Sequence, residues 1–190
     1  CVDLGEEVSR SAFLALWPIG KRPVLQDEAR GETIPETSII IEYLELHYPG
    51  AARLIPTDPD MAWRTRLRDR MFDLYVQGPM QAIVADRIRP DGGSDPASVV
   101  AARARLRMAY GVLEKDLAGK TWAMGEAFTL ADCAAAPALF YSDRLEPFGD
   151  DHPILAGYFK RLMARPSVAR TVEEARPYRH LFPGPELLDD

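Results

Sequence analysis

Strand-like patterning is confined to the first thirty-odd residues of this chain, and helical patterning takes over completely from Met61. That division limits the fold more than any other feature. A chain whose strands sit at one end builds two regions of different class, not one alternating sheet. At the N-terminal end, Cys1-Val2-Asp3-Leu4-Gly5 reads as a strand. Residues 6–17 read as one or two helical turns, and Pro18-Ile19-Gly20 as a turn. Arg22–Asp27 is a strand with Pro23 at its first position, where a missing N–H is tolerated. Glu32-Thr33-Ile34 returns beside it, so Val24–Ile34 is expected to be a hairpin. Ile40, Tyr43, Leu44 and His47 then recur at i, i+3, i+4 and i+7, which predicts a helix ending before Pro49-Gly50.

Prolines at 49, 56 and 59 mark a linker. The expected organisation is a small αβ domain over 1–48, a linker over 49–59 and an all-helical domain over 60–190. In the second domain a long helix over 61–77 and 80–89 is expected to kink at Gly78-Pro79. Further helices are predicted over 97–118, stopped by Gly119, and over 130–143, 153–164 and 167–175. The chain has 190 residues, enough for two small domains. Its net charge of −6 disfavours non-specific nucleic-acid binding. No apolar run approaches the roughly 20 residues that cross a bilayer. Two cysteines, Cys1 and Cys133, fit a reducing compartment and give an expectation of a cytoplasmic protein. His47, His152 and His180 share no metal-like spacing, so no metal is expected.

Two helix starts behave differently. Thr129-Leu130-Ala131-Asp132 fits a capping box, flanked by Phe128 and Cys133 at the staple positions, and is read as structural. At the helix after Pro35, Thr37 or Ser38 is expected at the cap, but Ile40 and Ile41 follow three residues on and cannot close a box. Its N–H groups and the positive end of its dipole stay available to an anion such as a ligand carboxylate, or to an ordinary solvated cap. Arg64, Arg66, Arg68 and Arg70 spread over more than one helical face beside Asp69 and Asp73, as a solvated or ion-paired surface would.

Phe13-Leu14-x-Leu16-x-Pro18-x-Gly20-Lys21-x-Pro23-Val24-Leu25, followed by Ile34-Pro35-Glu36-Thr37-x-x-Ile40-x-x-Tyr43-Leu44, resembles the later part of the thioredoxin-like domain of cytosolic glutathione transferases of bacterial type. Trp122-Ala123-Met124-Gly125-x-x-Phe128-Thr129-x-Ala131-Asp132 and Tyr158-x-x-Arg161-x-x-x-Arg165-Pro166-Ser167-Val168 are similar to motifs of that family's helical domain. The resemblance implies a two-domain α+β fold, a partial thioredoxin-like domain followed by an all-α domain. It implies a cis peptide before Pro23, which turns the Arg22 backbone toward the cysteinyl part of glutathione. It implies that Glu36 pairs with the γ-glutamyl ammonium and that Thr37 holds the adjoining carboxylate. Lys21 is expected either to reach the glycine carboxylate or to stay solvated. Two departures stand out: Thr37 replaces the commoner Ser, and Trp17 the commoner Asn.

The same resemblance implies an enzyme that joins the glutathione thiolate to a small apolar electrophile, working as a homodimer in detoxification. Glutathione is its cosubstrate. Phe72, Tyr75, Met80, Tyr110 and Phe140 are expected either to line the electrophile pocket or to be plain core. The family's first strand and helix, which carry the activating Ser, Cys or Tyr, would precede Cys1, so the catalytic residue stays unassigned and a longer native protein is expected. The alternatives are a non-catalytic binding or assembly module, and a glutathione-dependent isomerase, dehalogenase or ether-cleaving enzyme.

Overall fold

The structure is a computed structural model and describes residues 4–90 and 93–183. The chain divides into two compact units between Ile55 and Pro56, within the stretch expected to link two domains. In the first unit, α1 (Glu7–Leu16) is longer than the one or two turns expected. The antiparallel strands β1 (Val24–Asp27) and β2 (Glu32–Pro35) form the expected hairpin. Its register sets Val24 opposite Pro35 and Asp27 opposite Glu32, and Gly31 takes the positive φ that the turn needs. Helix α2 (Thr37–His47) follows directly. Of the strand expected over 1–5, residues 1–3 lie outside the described residues, and Leu4 and Gly5 form a turn. Ile34 is the unit's one buried apolar side chain among the described residues. Glu45 on α2 accepts the N–H groups of Leu54 (2.6 Å) and Ile55 (3.3 Å), which folds the following chain back along the helix.

The regular elements of the second unit are all helical among its described residues, with one isolated bridge between Trp122 and Gly125. Asp58 caps α3 (Pro59–Met71) by accepting the Met61 N–H at 2.8 Å, with Pro59 at the first position, where it loses no bond. The expected kink at Gly78-Pro79 takes a specific form. Residues Phe72–Gln77 make a π-helical turn, closed by the Gly78 N–H on the Asp73 carbonyl. Pro79 has no N–H to continue the α ladder, and the wider turn absorbs that gap before α4 (Gly78–Arg87) resumes. Asp86 then accepts the Asp95 N–H at 2.7 Å and the Ser94 hydroxyl at 3.0 Å, and Asp95 caps α5 (Pro96–Asp116). Gly119, at φ 73°, ends that run as expected.

Helix α6 (Leu130–Leu145) occupies the middle of the core, and α7 (Pro153–Ala164), α8 (Pro166–Ala175) and a 3-10 turn (Arg176–Leu181) complete the unit. Phe72, Ile83, Leu106, Leu113, Leu139, Leu155 and Leu162 pack into one cluster. Its polar centre is Asp132, fully buried. One carboxylate oxygen accepts the Thr129 N–H at 2.8 Å and the Thr129 hydroxyl at 3.1 Å. The other accepts the Ala123 N–H at 2.8 Å and the Tyr158 hydroxyl at 2.7 Å. The predicted helix cap is thus also the tie between three segments, which the local spacing did not reveal. The basic run is ion-paired in part: Arg68 with Asp116, and Arg70 with Asp69 and Asp73.

A buried carboxylate left short of a donor costs more than the bond itself. Tyr158→Phe is expected to lower the unfolding free energy by about 2 kcal/mol, and Asp132→Ala by at least about 3 kcal/mol. Urea unfolding followed by far-ultraviolet circular dichroism measures both.

Candidate functional site

The hairpin brings two short stretches together in the first unit. The Arg22–Pro23 peptide is cis, at the entrance to β1. Its neighbour Val24 lies opposite Pro35, so the next residue of the second stretch, Glu36, stands beside that entrance. All four predicted binding residues, Arg22, Pro23, Glu36 and Thr37, are exposed in this unit.

Glu36 holds the cap position of α2, where Thr37 or Ser38 was expected, and Thr37 is the first helical residue. Glu36 is also the one described non-glycine residue with a positive φ, at 71°. Such a backbone is uncommon for a side chain of this kind and is seen where local structure imposes it. The Glu36 side chain makes no capping bond to this helix end, in keeping with the absence of a capping box in the sequence. An α-helical tip without a side-chain cap, bearing a partial positive charge beside a carboxylate, matches an amino acid terminus: carboxylate to the tip, ammonium to Glu36.

Lys21 completes the arrangement in a way the sequence did not indicate. Its Nζ lies 3.1 Å and 3.2 Å from the two Glu36 carboxylate oxygens. Both side chains are roughly half exposed, at 61% and 47%, so the pair adds little stability and its members stay exchangeable. The signal was present only as a lysine near the proline, with no spacing rule linking it to Glu36.

Behind the site, Asp27 is buried at the far end of β1. Its Oδ2 accepts the Tyr43 hydroxyl at 2.7 Å and the Tyr48 hydroxyl at 2.6 Å, and its Oδ1 accepts the Arg30 N–H at 3.2 Å. The hydroxyls of Tyr48 and Tyr43 hold the carboxyl below its ordinary range. Burial, then the bond to Asp27, push the Tyr43 hydroxyl up to about 12. The bond to Asp27, then burial, raise Tyr48.

The five apolar residues weighed for an electrophile pocket are not brought together. Phe72, Met80 and Tyr110 are core. Phe140 lines a cavity of about 700 Å³ with Phe128, Tyr141, Met163, Val168 and Phe182. Tyr75 lines a different cavity of about 750 Å³, between the α3–α4 run and α5. Cys133 also borders the first cavity, but burial pushes its thiol up to about 11, so it stays protonated near neutrality and is a poor nucleophile. Cys1 lies outside the described residues. Among the described residues no cluster of His, Cys, Asp or Glu is arranged to hold a metal ion, and no helix is long and apolar enough to cross a membrane.

Family models match in both units. Residues 1–52 match the family model of the glutathione S-transferase N-terminal domain, and residues 73–166 that of the C-terminal domain. A glutathione S-transferase-like protein, LUC7, from a Fusarium species is 32% identical over 181 residues, covering 93% of this chain and 77% of the relative. A maleylacetoacetate isomerase from Pseudomonas aeruginosa is 29% identical over 140 residues, covering 74% and 65%. Among solved structures, a glutathione S-transferase from Methylobacillus flagellatus with GSH bound superposes with a TM-score of 0.78 at 28% identity, covering 90% of this chain and 83% of that one.

Proposed function

The chain belongs to the glutathione S-transferase family, and on that premise we propose that Arg22, Pro23, Glu36 and Thr37 bind glutathione for conjugation to a small apolar electrophile. The observation that carries the site is the helix tip without a side-chain cap at Thr37 set beside Glu36 and the cis Arg22–Pro23 peptide. Glu36 takes the γ-glutamyl ammonium, and exchanges Lys21 for it. Thr37, through hydroxyl and N–H, takes the α-carboxylate. The Arg22 backbone pairs with the cysteinyl residue in the manner of an added strand. The ligand thiol is then fixed at one place relative to β1.

The reaction is a displacement or addition. The thiol proton leaves to a base and a sulfur–carbon bond forms; in a displacement the leaving group departs with its electron pair, and in an addition the π pair of the double bond moves to the neighbouring carbon, which takes a proton. Within the second unit, the aromatic-lined cavity around Phe140, with a volume of about 700 Å³, is in the range that encloses a small apolar molecule. A homodimer is supported by the second cavity's rim, where Leu74, Tyr75, Met108 and Val112 expose apolar surface, Met108 at 71%. A cytoplasmic location and a detoxifying role complete the reading. The similarity to the isomerase supports a second reading, in which the same bound thiolate adds to a double bond and leaves again. Product analysis separates them: conjugation consumes glutathione, and isomerisation returns it.

Losing a charge-assisted contact to the ligand costs about 1.5–3 kcal/mol, so Glu36→Ala and Thr37→Ala are each expected to weaken glutathione binding by roughly 10- to 100-fold. Retention on immobilised glutathione, followed by calorimetric titration, checks this, and parental affinity in both variants removes the site. Met108→Asp is expected to convert the dimer to monomer in sedimentation equilibrium. A monomeric parent, or a dimeric variant, contradicts that interface.

A further inference from the structure

The proposed site has two walls, the entrance to β1 and the tip of α2, and it works only if the angle between them is kept. Close to the site the walls are joined by the ladder pair Val24–Pro35. Ile34 is the one fully buried apolar side chain among the unit's described residues, and Val24, Leu25, Ile40 and Ile41 are half-buried. The middle and far end of α2 are tied to β1 by polar contacts. Asp27 ends the strand, Tyr43 lies mid-helix and Tyr48 at the helix C-cap, and both hydroxyls converge on one carboxylate oxygen at 2.7 and 2.6 Å. The rings support each other, with Tyr43 centred 4.6 Å from His47 and 6.4 Å from Tyr48.

A helix of 11 residues is about 16 Å long, so a tie at its far end controls its axis well. Its first N–H groups point along that axis. Hydrogen bonds weaken steeply off line, so a pivot of α2 about Pro35–Glu36 misdirects those groups even where it moves them little. We propose that Asp27, Tyr43 and Tyr48 are positioning residues for glutathione, a clasp that aims the tip of α2 and Glu36 at the γ-glutamyl end of the ligand. This rests on the reading of Glu36 and Thr37 as the binding pair. The clasp holds across the neutral range. Asp27, held below its ordinary range by the two tyrosine hydroxyls, is charged at neutral pH, and Tyr43 keeps its proton up to about 12.

The test is calorimetric titration of glutathione into the parent chain and its variants, with urea unfolding of each to fix conditions where all are folded. Tyr43→Phe/Tyr48→Phe keeps both rings and removes only the two donors. Its Kd for glutathione is expected to rise by roughly an order of magnitude although the variant is fully folded. Asp27→Asn, which keeps an acceptor oxygen, is expected to lie between the parent and the double variant, and Asp27→Leu beyond both. A parental Kd in the folded double variant, with that of Glu36→Ala raised, overturns the clasp and leaves the site intact. If Glu36→Ala and Thr37→Ala also keep the parental Kd, the site reading fails and the clasp fails with it.

Discussion

One antiparallel register makes a site from two stretches of chain that are apart in sequence. With Val24 opposite Pro35, the cis peptide at Arg22–Pro23 and the turn into α2 at Glu36 become neighbours. A slip by one residue would send alternate side chains to the opposite face and part these groups. Short strands specify register weakly on their own, so the constraint must come from elsewhere. The Asp27 carboxylate supplies it at one end, with two tyrosine hydroxyls from α2 and the Arg30 N–H holding it. At the other end the backbone passes straight from β2 into the helix through Glu36.

The helical unit uses the same device at larger scale. Asp132 is a helix cap by position and a core hub by contact, accepting from Thr129, Ala123 and Tyr158 inside a packed apolar cluster. A buried charge is tolerated when several donors satisfy it, and then it specifies one arrangement of the segments that bring those donors. Glu114 does related work at the surface, accepting the first N–H groups of α7 at Ile154 and Leu155 from its place on α5.

Much of this was legible from residue order. The hairpin, the helices and the kink region follow from period, proline and glycine. The cap at Thr129 follows from a four-residue motif, and the helix end lacking a side-chain cap from the missing acidic partner three residues on. What the sequence did not disclose depends on pairs distant along the chain. Nothing local links Lys21 to Glu36, Asp27 to Tyr43 and Tyr48, or Tyr158 to Asp132. The cap residue was placed one or two positions late, at Thr37 or Ser38, because a positive φ at Glu36 is not a glutamate preference but a consequence of the turn out of β2. Aromatic residues at helical spacing divided between core and cavity according to which neighbour each helix face met. Periodicity marks such a face but does not name what covers it.

The central claim is that a γ-linked amino acid terminus docks on the tip of α2. A crystal structure of the protein soaked with glutathione tests it most directly. The account predicts the γ-glutamyl carboxylate within hydrogen-bond distance of the Thr37 N–H and hydroxyl, its ammonium against Glu36 in place of Lys21, and the cysteinyl backbone paired with Arg22. Glutathione bound elsewhere, or with its γ-glutamyl end turned away from this tip, would contradict it.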